Sequence, residues 1–217
     1  MRGQGGIKKN WVSEETKSAA LGDIRLNRRF GHVLEMLMRK PTDSIPSVAK
    51  NWAETKAAYR FFDNKAVTAE KILQPHIQAT VGRMKEEPVV LLIQDTTELD
   101  YTSKPETLGL GMLRYKNNNG LFLHPTLAVT PKRVCLGVVD AQVLIRESLG
   151  KRPRQDSLPI IEKESLRWLN GYRVAQTLSS ILPDTKMVSI ADREGDIYEI
   201  FIQTLNAEKN GQAEWII

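Results

Sequence analysis

The chain has 217 residues, enough for one domain with a sizeable core or for a domain with a smaller one beside it. Its apolar fraction of 41% and charged fraction of 26% are those of an ordinary globular protein. No apolar run approaches the length that crosses a bilayer, and the charged N-terminus lacks the apolar segment of a secretory signal. These features predict a cytoplasmic protein that does not bind membranes.

The net charge of +5 is unevenly distributed along the chain. Residues 1–87 hold 16 Lys and Arg against 10 Asp and Glu, whereas residues 88–217 hold 15 against 16. A basic excess confined to one part of a chain is expected where that part binds a polyanion. A modest excess also serves solubility, so the alternative of a solvated basic surface stays open.

The basic part is predicted to be helical over residues 13–87, after an N-terminal tail of residues 1–12. Apolar residues recur at steps of three and four from Leu26 to Met38, with Asp23 as a plausible N-cap and Pro41 as a plausible stop. Two further helices are predicted, one over 52–62 and one from Thr68 toward Glu87 that Pro75 either kinks or delays. The tryptophans at positions 11, 52 and 168 are expected to lie in the core.

Residues 88–217 are predicted to form an α/β domain. The expected strands lie at 89–94, 121–130, 134–145, 186–191 and from 214 onward, and the expected helices at 160–182 and 196–208. The predicted order is that of the ribonuclease-H-like fold: three strands, a helix, a strand, a helix and a strand. The fold is expected here to be truncated in the fifth strand. Cys135, inside the third strand, is expected to be a small buried hydrophobe without a disulfide partner.

Two aspartates, Asp95 and Asp192, each follow a strand that reads as buried. Functional groups cluster beyond the carboxyl ends of such strands, and in the predicted order these two strands, the first and the fourth, are neighbours. Carboxylates are the ligands that Mg²⁺ and Mn²⁺ prefer, and paired cations suit phosphodiester chemistry. We therefore predict that Asp95 and Asp192 are catalytic residues that bind Mg²⁺, with Mn²⁺ as a substitute. The three histidines have no ligand spacing to one another, which disfavours a zinc site.

Four motifs appear together in order along the chain: ALGDIRLNRRF at 20–30, AYRFFDN at 58–64, QDTT at 94–97 and ADREGDIY at 191–198. They resemble those of the DDE transposases of the insertion-sequence-4 group, the branch of a kanamycin-resistance cut-and-paste transposon. The segment EKESLRW at 162–168 is also similar to that family. The resemblance covers almost the whole chain from about Trp11.

The resemblance implies that Asp95 and Asp192 are two members of a metal-binding triad. It implies that a helical domain near residues 13–75 recognises double-stranded DNA at transposon ends. We expect its DNA contacts to come from Arg25, Arg28, Arg29, Tyr59 and Arg60. The guanidinium fork of the four arginines suits phosphate. The family acts as dimers on paired ends in bacteria, which would make this a nucleoid-associated protein.

The sequence departs from the family in lacking the later region with the third carboxylate and the C-terminal dimerisation helices. Glu98, Glu194 and Asp196 are not expected to replace that carboxylate, because each lies close in sequence to an existing ligand. This chain alone is therefore expected not to cleave DNA. The alternatives are a non-catalytic remnant or inhibitor that binds transposon ends and, less favoured, a metal hydrolase of small phosphate esters. A basic loop with Lys151, Arg152 and Arg154 is expected to be solvated.

Overall fold

A computed structural model describes residues 11–115, 117–146, 158–206 and 212–217. The chain divides into two compact units, residues 1–79 and 80–217. The first unit is helical and the second is a mixed α/β unit, so the predicted change of structural class along the chain is confirmed. None of the helices described is long and apolar enough to span a membrane.

The first unit is built from short and long helices. They are α1 (Trp11–Glu15), α2 (Ile24–Arg39), α3 (Ile45–Val48), α4 (Trp52–Phe62) and α5 (Ala69–Met84), and the division between the units falls within α5. Asp23 caps α2 as predicted, its carboxylate accepting from the backbone N–H of Arg25 at 2.7 Å. Asn51 caps α4 in the same way through the N–H of Glu54, at 3.0 Å. Pro75 lies inside α5, which begins before it.

The core of the first unit is built between α2 and α4. The rings of Phe30 and Phe61 stack with their centroids 6.0 Å apart. Around them lie the other buried apolar residues of this cluster: Leu21, Val33, Met36, Val48 and Ala58. The N-terminal half of α2 and one face of α4 therefore lie beside each other.

The second unit is built on one seven-stranded mixed sheet. Its strands are β1 (Val89–Gln94), β2 (Thr97–Asp100), β3 (Gly111–Met112), β4 (Asn119–Val129), β5 (Cys135–Leu144), β6 (Lys186–Ile190) and β7 (Glu214–Ile216). The order β5-β4-β1-β6-β7 follows from the pairings, with β2 and β3 on the first part of β4. β4 is antiparallel to β1 and β5, whereas β6 and β7 run parallel to β1.

The second unit has two further helices, α6 (Leu166–Ile181) after β5 and α7 (Tyr198–Asn206) after β6. Each is preceded by a 3₁₀ turn. α6 supplies Trp168, Leu169 and Tyr172 to the core, where they meet alternate residues of the central strands. Along β1 the buried positions alternate, so Val90, Leu92 and Gln94 share one covered face. The last residue on this covered face is therefore polar: Gln94, directly before the predicted catalytic residue Asp95.

Several expectations about single residues are wrong. Trp52 is 66% exposed and Trp11 is also exposed, whereas Trp168 is buried as predicted. Trp52 is the first residue of α4 and does not lie on the helix face that carries Ala58 and Phe61. The Lys56 ammonium lies 5.5 Å from the centroid of the Trp52 ring. Cys135 is exposed because it opens an edge strand directly after the hairpin turn.

Smaller differences concern element boundaries. α6 begins at Leu166 and not at residue 160, because residues 160–162 form a 3₁₀ turn. The glycine-spaced stretch 103–120 contains β3, and β2 follows β1 almost directly. The hairpin predicted across residues 131–133 is confirmed. The basic residues 151, 152 and 154 and most of the predicted tail lie outside the described residues.

Candidate functional site

The first unit contains a cavity of about 440 Å³ between α2 and α4, which we call the arginine cavity. Its lining residues are Asp23, Arg25, Leu26, Arg29, Ala53, Ala57, Arg60, Phe61 and Asn64. Arg25 and Arg29 are four residues apart and so share one face of α2, while Arg60 comes from α4. Three of the five predicted DNA-binding residues therefore meet around one opening.

The other two predicted DNA-binding residues, Arg28 and Tyr59, are not among the lining residues of the arginine cavity. Both are exposed on the surface of the same unit. On α4, Tyr59 shares the outer face with Trp52 and Lys56, because these positions are separated by seven and three residues. Tyr59 thus extends an aromatic and cationic stripe beside the arginine cavity.

The arginines of the cavity differ in how they are held. Arg25 is fixed by Asp23 through its Nη2, 2.8 Å from Oδ2, and through its Nε. The Arg25 guanidinium lowers the pKa of the Asp23 carboxyl through a side-chain hydrogen bond. Arg29 and Arg60 make no ion pair with any residue of the described ranges, so their charge is available to a bound anion.

In the second unit the ends of β1 and β6 bring the two predicted catalytic aspartates side by side. The last paired residues of these parallel strands are Ile93 and Ile190, and Asp95 and Asp192 each follow two positions later. Neighbouring strands lie about 4.8 Å apart, so equivalent positions face one another across the sheet edge. We call Asp95 and Asp192 the carboxylate pair.

Each carboxylate of the pair is oriented by a backbone N–H one or two positions later in the sequence. The N–H of Thr96 donates to Asp95 Oδ1 at 2.7 Å, and the N–H of Glu194 donates to Asp192 Oδ1 at 2.9 Å. No described residue donates to Oδ2 of either aspartate. Both side chains are exposed, so a cation reaches these oxygens from solvent.

A hydrogen-bond chain lies behind the carboxylate pair. Arg167 Nε donates to Thr96 Oγ1 at 2.9 Å, and Thr96 Oγ1 lies 2.8 Å from His124 Nδ1. His124 Nε2 lies 3.2 Å from Gln94 Oε1, and Gln94 Nε2 donates to Ser189 Oγ at 2.9 Å. This chain of hydrogen bonds therefore runs across the sheet from His124 of β4 through Gln94 of β1 to Ser189 of β6.

The direction of this chain defines the state of His124. Gln94 donates through its amide nitrogen to Ser189, so its carbonyl oxygen faces His124 Nε2 and requires a proton there. This leaves Nδ1 of a neutral ring to accept from the Thr96 hydroxyl. His124 is then the neutral tautomer with the proton on Nε2, which donates to the Gln94 carbonyl oxygen. Burial lowers the pKa of His124 to about 4, aided by the Arg167 charge and opposed by Asp95 and Asp192. A neutral imidazole is consistent with a fully buried ring.

Two other acidic residues near the strand ends pair with arginines. Glu194 pairs with Arg167, whose Nη2 lies 3.0 Å from Oε2, and Glu98 lies 3.5 Å from Arg114. Within the described ranges, no three His, Cys, Asp or Glu side chains come together as a metal-binding group. The described residues thus bring two carboxylates to this site.

Comparison with known families matches one part of the chain. Residues 8–67 match the family described as Transposase DNA-binding. The match ends before the second unit begins and contains all five predicted DNA-binding residues. It supports a DNA-binding role for the N-terminal region and a transposase as the class of protein.

Sequence reasoning missed the residues behind the carboxylate pair: Gln94, Thr96, His124 and Arg167. Gln94 and Thr96 flank Asp95 in sequence, and Arg167 lies inside the segment 162–168 that resembles the transposase family. His124 carried a signal of its own, because buried positions alternate along β4 and His124 falls on the buried set. A polar residue on the covered face of a strand needs a partner.

Proposed function

We propose that this chain is a DNA transposase of the insertion-sequence-4 group, which binds transposon ends and acts in cut-and-paste transposition. The observation that carries the proposal is the convergence of Arg25, Arg29 and Arg60 on one cavity within the segment that matches a transposase DNA-binding family. These arginines come from two separate sequence motifs, and Arg60 lies 31 positions after Arg29. Their meeting at one opening is expected of a binding surface.

The arginine cavity suits the backbone of double-stranded DNA. Arginine presents a planar fork that binds a phosphate through two hydrogen bonds. In this proposal Arg29 and Arg60 contact phosphates, and Arg25, held by Asp23, keeps a fixed orientation at the start of α2. Arg28, Tyr59 and Trp52 extend the contact surface along the exposed faces of α2 and α4.

The strand order supports a ribonuclease-H-like fold for the second unit. Such a fold has an antiparallel meander of three strands followed by two strands parallel to the first. Here β1, β4 and β5 correspond to the meander, and β6 and β7 to the parallel pair beside β1. β2 and β3 are then short additions along β4.

The carboxylate pair fits Mg²⁺ or Mn²⁺ in the chemistry of its donors. Mg²⁺ is commonly bound through one or two carboxylates together with water and substrate phosphate oxygens. Asp95 and Asp192 each offer an Oδ2 without a hydrogen bond from the described residues. When bound, the cation supplies Lewis acidity for phosphodiester cleavage. The chain's own contribution is to hold both carboxylates at one sheet edge, with Oδ1 fixed by a backbone N–H.

A second function, binding of transposon ends without cleavage, is favoured by the ligand set. The described residues bring two carboxylates to the sheet edge, whereas the family that the sequence resembles uses three. In that case the arginine cavity retains its role and the carboxylate pair holds a cation only loosely. The two functions differ in a single measurable step, strand cleavage.

Nuclease footprinting tests the proposal with labelled duplexes taken from both flanks of the gene that encodes the chain. A specific protected segment, absent on shuffled duplexes of equal composition, is expected for both functions. Strand cleavage on addition of Mn²⁺, lost in Asp95→Asn, identifies the transposase, and protection without cleavage identifies the second function. Equal binding to flanking and shuffled duplexes would contradict both.

A further inference from the structure

Arg167 lies at the start of α6, and its side chain is 12% exposed. Its three nitrogens reach three different acceptors. Nε donates to the Thr96 hydroxyl at 2.9 Å, Nη1 to the Glu164 carbonyl at 2.8 Å, and Nη2 to the Glu194 carboxylate at 3.0 Å. The guanidinium carbon also lies 5.5 Å from the ring centroid of Trp168. The side chain is therefore held in one orientation from several sides.

Two of these acceptors belong to the residues that orient the carboxylate pair. Thr96 donates its backbone N–H to Asp95, and Glu194 donates its backbone N–H to Asp192. Arg167 thus bridges the two turns that follow β1 and β6, one hydrogen bond away from each aspartate. We propose that Arg167 is a positioning residue, which fixes the separation and orientation of Asp95 and Asp192 so that both bind one divalent cation. The proposal rests on the function above, in which the carboxylate pair binds Mg²⁺ or Mn²⁺.

The shape of the arginine side chain is essential to this role. Thr96, Glu164 and Glu194 lie in different directions from one side chain, and the planar fork of a guanidinium serves them together. A lysine at position 167 keeps the positive charge but offers one nitrogen, which does not span the same acceptors. Residues that orient metal ligands typically change metal affinity by 10–100-fold when they are replaced.

Charge and geometry predict opposite results for the loss of Arg167. The guanidinium repels a cation at the carboxylate pair, so its removal strengthens cation binding if only charge matters. If Arg167 positions the pair, its removal weakens binding despite the loss of that repulsion. The sign of the change therefore separates the proposal from a general electrostatic effect.

The experiment is isothermal titration of the full chain with Mn²⁺, in wild type and in Arg167→Gln and Arg167→Lys. We expect the affinity to fall on the order of tenfold in Arg167→Gln and to fall also in Arg167→Lys, which preserves charge and most of the volume. The matched control is Arg146→Gln. Arg146 is another arginine of the second unit with a mostly covered side chain, and it binds the Glu164 carboxylate at 2.6 Å, whereas Arg167 binds the Glu164 carbonyl. Arg146 donates to neither Thr96 nor Glu194, the residues that orient the carboxylate pair. Its loss should leave Mn²⁺ affinity unchanged.

Each outcome has one meaning. Mn²⁺ binding that is absent in wild type, or unchanged in Asp95→Asn, overturns the metal site itself. Binding that depends on Asp95 but is as tight or tighter in Arg167→Gln overturns the positioning role alone. Wild-type affinity in Arg167→Lys also overturns it, because a single ammonium does not bridge both turns. Urea unfolding of each variant, followed by tryptophan emission, verifies that the titrated protein is folded.

Discussion

His124 makes the stability of the second unit depend on pH in a defined direction. Its ring is fully buried, and its pKa is lowered from 6.5 to about 4. Well above pH 6.5 the histidine is neutral in both the folded and the unfolded state and contributes nothing to the pH dependence. As the pH falls below 6.5, the unfolded chain binds a proton that the folded chain refuses, so stability is lost. The loss is complete only below the folded pKa.

The magnitude follows from the size of this shift. With pKa values of 6.5 unfolded and about 4 folded, the free energy of unfolding falls by about 2 kcal/mol between pH 7.5 and pH 5.0. Below pH 4 the total loss from this one residue approaches about 3 kcal/mol. Carboxylates also titrate in this range, so the effect of His124 has to be isolated by substitution.

The contribution of His124 to the pH dependence is isolated by urea unfolding of wild type and His124→Gln at pH 7.5 and pH 5.0. Glutamine retains hydrogen-bonding capacity but does not titrate. A background of Trp11→Phe and Trp52→Phe restricts the emission to Trp168 and Trp215, both in the second unit. Wild type should lose about 2 kcal/mol more than the variant on acidification. Equal losses in the two proteins would refute the buried neutral histidine and the hydrogen-bond chain built on it.

Three further outcomes are expected. Gly171→Ala should lower the free energy of unfolding of the second unit in urea by about 2 kcal/mol, because a Cβ there overlaps the Gln94 amide. Gly82→Ala, with open space around it, should be neutral or stabilising, and equal effects of the two substitutions would contradict the close approach at Gly171. Mg²⁺ or Mn²⁺ should raise the melting temperature, with the increment lost in Asp95→Asn and in Asp192→Asn, since a ligand that binds the folded state stabilises it; an increment that survives both substitutions would argue against the carboxylate pair. Cys135, exposed on an edge strand, should react with a thiol reagent in the native protein, and reaction only after denaturation would show that it is buried.

Much of the fold could be predicted because local patterns and tertiary contacts agree. The apolar run at 89–94 is β1, and the neighbouring position of β6 brought Asp95 and Asp192 to the same sheet edge as expected. Asp23 was recognisable as a cap because an aspartate before an apolar helical stripe has a defined partner in the first turn. The chain order of β1, β4, β5, α6, β6, α7 and β7 was predicted for the same reason, whereas β2 and β3 were not predicted.

The remaining features depend on contacts that a local pattern does not contain. Trp52 was expected in the core because tryptophan is large and apolar, but its position on α4 points away from Phe61. Cys135 has an apolar sequence context, yet it is the first residue of a strand that, among the described strands, pairs with β4 alone. Arg167 and Thr96 are 71 residues apart, so their hydrogen bond exists only once α6 packs against the sheet.

The most direct test of DNA binding by the arginine cavity is a fluorescence-anisotropy titration of a labelled duplex at several salt concentrations. Arg29→Ala with Arg60→Ala removes two cavity cations, and Arg39→Ala with Lys40→Ala removes equal charge about 15 Å further along α2. Wild type and the control pair should bind tightly with a steep salt slope. The cavity pair should bind more weakly, and the slope of log K against log salt should fall by about 2. Equal affinity and equal slope in the two double variants would contradict the assignment of the arginine cavity as the DNA-binding site.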